Sequence, residues 1–144
     1  MINLVVATYS EAEPLINKLS LKKLTNSKNF DIFFNKKYSL IISGIGKINS
    51  ALSVADIFYR LKQDFNNVWI NIGIAGHKIC QIGKLLAVNK ITDYESEKCF
   101  YPFFLKDVNI SKENCITFSK PNYNYSNILY DMEASGFFLA ANKF

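Results

Sequence analysis

Four short apolar runs in this 144-residue chain each lead into a corner of small or acidic residues. Ile2 to Ala7, Lys37 to Ser43, Asn67 to Gly73 and Ile128 to Tyr130 have the length of buried strands, and several are rich in β-branched residues. They deliver Glu11, Gly44 to Lys47, Gly73 to His77, and Asp131 with Glu133. In open α/β sheets ligands bind beyond the carboxyl ends of strands. Corners of this kind, drawn from separate parts of the chain, predict an α/β fold with one shared cleft. No repeat or linker interrupts the chain, so residues 1–144 are expected to form one domain.

Local patterns fill in the elements. Ser10-Glu11-Ala12-Glu13 has the form of a capping box, with Pro14 tolerated in the first helical turn and Leu15, Ile16 and Leu19 as the apolar stripe. This spacing gives Glu13 the capping duty and leaves Glu11 at the strand-to-helix mouth. Lys22 to Lys28 reads as a loop. Asn29 to Phe34 and Lys37 to Ser43 read as a hairpin around Asn35-Lys36. In the next helix Ile48, Ala51, Leu52, Ala55 and Tyr59 form an apolar face, opposite Asn49, Ser53, Asp56 and Arg60. Asp56 and Arg60 make an i, i+4 pair.

Leu85 to Ile91 and Cys115 to Ser119 are further strands, and Cys99 to Leu105 is an aromatic edge or interface segment. Gly44 and Gly46 suit either a tight turn or a backbone approach to a ligand. The third glycine of a dinucleotide fingerprint is missing, which disfavours a dinucleotide-binding module. His77 reads as a polar loop residue. Two readings stand for the last corner. In one, Asp131 caps the following helix and Glu133 completes its first turn; in the other, Glu133 brings a carboxylate to the cleft.

Charge and cysteine usage exclude several functions. The net charge is +5, but the lysines are scattered from Lys18 to Lys143 and no basic, aromatic-interleaved stretch points to nucleic acid. Cys80, Cys99 and Cys115 are widely spaced and odd in number, which predicts buried reduced thiols in a cytoplasmic protein. His77 is the one histidine, so no histidine cluster for a metal is expected, and no cofactor is implied. No apolar run of about 18 residues predicts a membrane span.

The segments Ala7 to Glu11, Ser43 to Lys47, Asn71 to Gly76 and Asp131 to Ala134 read Ala-x-x-x-Glu, Ser-Gly-Ile-Gly-Lys, Asn-x-Gly-x-Ala-Gly and Asp-Met-Glu-Ala. In this order they resemble the nucleoside phosphorylase family that includes methylthioadenosine/S-adenosylhomocysteine nucleosidase. The resemblance implies a mixed twisted sheet flanked by helices and cleavage of a purine ribosyl bond. It implies that Glu133 holds the ribose hydroxyls with Met132 against the sugar. Glu11 orients the attacking water, with Glu13 as a weaker candidate. Gly73, Ala75, Gly76 and Gly46 line the substrate, and Phe118 or Tyr123 stacks on the base. It also implies a purine nucleoside as partner, with phosphate as a second one if the reaction is phosphorolytic.

Two departures qualify the expectation. Phosphorolysis calls for arginines that grip phosphate through several donors, and Arg60 is the one arginine, so hydrolysis is favoured; Lys47 or backbone amides remain anion-holding candidates. In the family a further strand carries the aspartate that protonates the purine, whereas this sequence ends at Phe144. The expected fold therefore lacks the last strand and helix, and the uncovered sheet edge with Phe137 and Phe138 predicts poor solubility or self-association as a homo-oligomer. The alternative to a nucleosidase is a non-catalytic remnant that binds nucleosides weakly or acts through association.

Overall fold

The computed structural model describes residues 1–25, 27–62, 66–104 and 109–144. Asn26, within the expected loop, and Leu105, at the end of the expected aromatic segment, lie outside the described residues. The elements are β1 (Ile2–Val6), α1 (Tyr9–Leu19), β2 (Lys22–Lys23), β3 (Asp31–Phe34), β4 (Tyr38–Ile42), α2 (Lys47–Arg60), β5 (Val68–Asn71), β6 (Ala87–Asp93), β7 (Cys99–Phe100), β8 (Lys112–Thr117), β9 (Leu129–Asp131) and α3 (Ala134–Ala141).

They form two mixed sheets and not one continuous ladder. The first has the order β2-β3-β4-β1-β5 and the second β7-β6-β8-β9. β1 lies between β4 and β5 in the first sheet, parallel to both. Its residues alternate between two cores, as the two-residue period of a strand requires. Leu4 and Val6 face α1 with Ala12, Leu21, Phe33 and Leu40, while Val5 faces the side of α2 with Ile32, Ile41, Val54 and Ile57. The chain after β5 crosses to the second sheet, where Gly76 and Tyr130 exchange backbone hydrogen bonds of 2.9 and 2.8 Å.

Several expectations from the sequence hold. The hairpin turns at Asn35, whose Oδ1 accepts from the amides of Lys37 and Tyr38. Arg60 donates to both oxygens of Asp56. Others change. Lys22–Lys23 adds a short edge strand to β3 where a loop was expected. Of the cysteines only Cys115 is buried; Cys80 is half-buried and Cys99 exposed, and all three are free thiols.

The largest change concerns α2, which buries a different apolar stripe from the one expected. Ile48, Leu52 and Tyr59 are 73, 56 and 70% exposed, while Ser50, Ser53, Val54, Ile57 and Phe58 are buried. Close packing against α3 decides this orientation. A Cβ on Gly136 would lie 2.0 Å from the Lys47 carbonyl oxygen, so the two backbones nearly touch, and only small residues fit such a crossing. Nor are Phe137 and Phe138 left uncovered. Phe137 packs on the Val54–Ile57 core, and Phe138 meets Phe100 with ring centroids 5.4 Å apart.

Candidate active site

Glu11 is placed by the end of β1. Thr8, extended at φ −128°, is the N-cap of α1, and Glu11 is its capping-box partner. Glu11 Oε2 accepts from the Thr8 amide at 2.8 Å and from Thr8 Oγ1 at 2.7 Å. The expected box of Ser10 and Glu13 is therefore displaced by two residues, because β1 ends at Val6 and the helix starts at Tyr9. Glu11 does carry capping duty, and it also reaches the next corner, where its Oε1 accepts from the Ile74 amide at 3.0 Å. A Cβ on Gly73 would sit 3.4 Å from that oxygen, so Gly73 borders the carboxylate.

Glu133 is placed by the end of β9. Asp131 Oδ2 accepts from the amides of Glu133 and Ala134 at 3.0 and 2.6 Å, so Asp131 does cap the start of α3. Its Oδ1 accepts from Thr117 Oγ1 at 2.6 Å and from Cys115 Sγ at 3.4 Å. That division of labour releases Glu133, whose side chain makes no capping bond. Glu133 Oε1 instead accepts from the Gly46 amide at 2.7 Å, across 87 residues of sequence. Gly46, at φ +103°, adopts a backbone that only glycine takes without strain, and so aims this N–H at the carboxylate. Burial pushes the Glu133 carboxyl above its ordinary value, and the nearby Asp131 and Glu11 charges add to the effect; the Gly46 hydrogen bond opposes it.

Both carboxylates open onto a cleft of about 400 Å³ lined by Ala7, Thr8, Ile45, Ile74 to Gly76, Asp131 and Met132, with an aromatic wall of Phe118, Tyr123, Tyr125 and Tyr130. Tyr125 lies so close over Gly76 that a Cβ there would come within 2.1 Å of its ring. Glu11, Glu133, Met132, Ala75 and Gly76 are thus brought together, whereas Gly73 and Gly46 are outside the lining, Gly73 bordering the Glu11 carboxylate and Gly46 donating to that of Glu133. Glu13 is not in the lining. His77 stays a loop residue, its Nδ1 accepting from the amides of Ile79 and Cys80. The described lining contains no lysine, arginine or histidine.

Lys47 is turned away from this cleft. Its Nζ pairs with Asp93 Oδ2 at 2.7 Å and Glu95 Oε2 at 2.6 Å, which leaves it poorly placed to hold an anion. Burial alone would push the Asp93 carboxyl up, but hydrogen bonds from Lys47, Ser135 and Ser96 outweigh it and hold Asp93 well below the usual range. The Lys47 ammonium is held above its ordinary value because those carboxylates outweigh its own desolvation. Sequence reading overlooked Asp93 and Ser135. Asp93 had the same signature as the other corners, an acid at the end of an apolar run.

No family model matches the sequence, and no curated protein does. Solved structures do match over nearly the whole chain. A 5'-methylthioadenosine nucleosidase from Arabidopsis thaliana in apo form has a TM-score of 0.84 at 18% identity, covering 99% of this chain and 75% of that one. The methylthioadenosine/S-adenosylhomocysteine nucleosidase from Colwellia psychrerythraea 34H, in complex with adenine, gives 0.78 at 14% identity, with 99 and 76% covered. The chain has the fold of these nucleosidases. A futalosine hydrolase mutant of Helicobacter pylori strain 26695 shares it as well, with a TM-score of 0.72 at 14% identity and coverage of 99 and 83%. The α/β fold expected from the strand-end corners and the motif resemblance is therefore present, built among the described residues as two mixed sheets with three helices.

Proposed function

We propose that this protein hydrolyses the N-ribosyl bond of a purine nucleoside. The observation that carries the reading is the meeting of Glu11 and Glu133, from separate strand ends, on one cleft walled by aromatic rings and Met132. The nucleosidase neighbours, one of them holding adenine, support the substrate class. In this reading Glu133 accepts hydrogen bonds from the ribose hydroxyls, Met132 packs against the sugar, and a ring of the Phe118–Tyr123 wall stacks on the base. Glu11 orients a water. The water oxygen bonds to the anomeric carbon as the C–N bond breaks, the bonding pair leaves with the purine, and the water proton passes toward Glu11. Two carboxylates facing an oxocarbenium-like sugar stabilise the developing positive charge.

Asp131 is committed to four donors and is therefore not the group that protonates the leaving base, a step in which general-acid help is worth about 10²–10⁴-fold. Hydrolysis is favoured over phosphorolysis because the described lining has no cation to grip phosphate, while Lys47 and Arg60 are both held by carboxylates.

Chromatography of base released from methylthioadenosine and from inosine, with and without phosphate, tests the reading. Release independent of phosphate is expected. Release only with phosphate would overturn the hydrolytic assignment, and none from folded protein would leave a non-catalytic binder. The exposed stripe of Ile45, Ile48 and Leu52 beside the cleft is the surface we assign to self-association. Sedimentation velocity should show a dimer that Leu52→Glu dissociates; a monomeric wild type would remove this assignment.

A further inference from the structure

Asp93 stands behind the cleft and does not line it. Its Oδ2 accepts from Lys47 Nζ at 2.7 Å and from Ser135 Oγ at 2.7 Å, while its Oδ1 accepts from the Ser96 amide and hydroxyl at 3.0 and 2.8 Å. Lys47 follows Gly46 directly, and Ser135 lies two residues after Glu133. One carboxylate oxygen therefore ties together the two chain segments that meet in the Gly46–Glu133 hydrogen bond. The result is a closed ring running Asp93, Lys47, Gly46, Glu133, Ser135 and back to Asp93. Glu95 extends the tie to a third wall, since it accepts from Lys47 and, through Oε1, from the Ser119 amide at the start of the loop carrying Tyr123 and Tyr125.

The ring is protected. The Asp93 side chain is 9% exposed, so water has little access to exchange with its partners. Thr117 Oγ1, which donates to Asp131, also accepts from the Ser135 amide at 3.1 Å, locking Ser135 from its other side.

We infer that Asp93 is a positioning residue: through Lys47 and Ser135 it sets the separation of Gly46 and Glu133 and so aims the Glu133 carboxylate into the cleft. Its effect on turnover rests on the proposed nucleosidase reading, whereas its effect on the Gly46–Glu133 bond does not. A cluster that only stabilised the fold would leave that bond unchanged when weakened.

The test has two readouts. Amide NMR across a pH titration follows the Gly46 N–H, whose shift reports ionisation of Glu133 in the wild type. In Asp93→Asn and Ser135→Ala the Gly46 response should fall by about half or more, as expected when a charge-assisted hydrogen bond is lengthened. In parallel, kcat/KM for the nucleoside should fall about 10²-fold in Asp93→Asn and about 10-fold in Ser135→Ala, with adenine affinity unchanged, because misplacement of one group by about 1 Å costs on that order. An unchanged Gly46 titration in Ser135→Ala, which removes only a hydroxyl and decides the matter if Asp93→Asn does not fold, overturns the proposal whatever happens to the melting temperature. A wild type without turnover would instead remove the nucleosidase reading, and the Gly46 titration would still decide the positioning role.

Discussion

Glu133→Gln is expected to lower kcat/KM for nucleoside cleavage about 10²-fold while making the protein more heat-stable. Glutamine has nearly the same volume, and its carbonyl still accepts from the Gly46 amide that now holds Glu133 Oε1. What disappears is the charge. Hydrogen bonds to an ionised group contribute about 1.5–3 kcal/mol, roughly twice a neutral bond, and a difference of about 1.4 kcal/mol, or tenfold, for each of the two ribose hydroxyls it holds sets the expected loss. Stability moves the other way because burial, then Asp131 and Glu11, raise the Glu133 carboxyl above its ordinary value of 4.5.

A raised folded-state value means the folded protein binds this proton more tightly than the unfolded chain. The resulting stabilisation is fully present below 4.5 and is lost as pH rises through the folded value. At neutral pH the wild type therefore carries a penalty that the amide lacks. Calorimetry should show a higher Tm for Glu133→Gln at pH 7, by about 2–4 °C for each kcal/mol relieved, with the two curves converging toward pH 4.5. A variant that loses stability and turnover together at pH 7 would mean that the charge serves the fold, and the ribose-holding role would be withdrawn.

Gly136→Ala should be the most damaging single methyl addition in the described structure. The new Cβ would lie 2.0 Å from the Lys47 carbonyl oxygen and 2.6 Å from its carbon, both backbone atoms that no rotamer change can move. Alanine favours a helix over glycine by about 1 kcal/mol. Overpacking where side chains can yield already costs about 1–3 kcal/mol, and here α3 as a whole must withdraw from α2. The clash should win, with a net loss of about 2–3 kcal/mol read as a lower urea midpoint at unchanged slope. Activity should fall further than stability alone explains, since moving α3 from Lys47 stretches the same Asp93 ring that aims Glu133. Equal or greater stability in the alanine variant would show that helix propensity outweighs the close α2–α3 crossing.

How far these features could be read beforehand follows from the range of the interactions behind them. β1, β4, β5 and β9 announced themselves as short apolar runs, continuous in β1 and β4 because those strands are buried on both faces, and each carried its corner with it. Their convergence was inferable because topology places the carboxyl ends of parallel strands together. The Thr8–Glu11 box was hidden by a competing Ser10–Glu13 pair of identical form; only the point where β1 stops pairing with β4 selects between them. Asp93 bonds locally to Ser96, but its link to Ser135 spans 42 residues and has no local signal.

The helix α2 marks the boundary most clearly. Its periodicity was legible, and the direction in which it faces was not. Two apolar stripes compete on α2, and the one buried is Val54, Ile57 and Phe58, beside the Ser50 and Ser53 that let α2 approach Gly136, and not Ile48 and Leu52. Sequence by itself determined the strands, their acidic and glycine corners, and hence the α/β class and the Glu11–Glu133 pair. Tertiary structure alone decided which carboxylate caps and which faces the cleft, where Lys47 spends its charge, and how closely α2 meets α3. Those choices depend on distances between segments tens of residues apart, and such distances are set by packing.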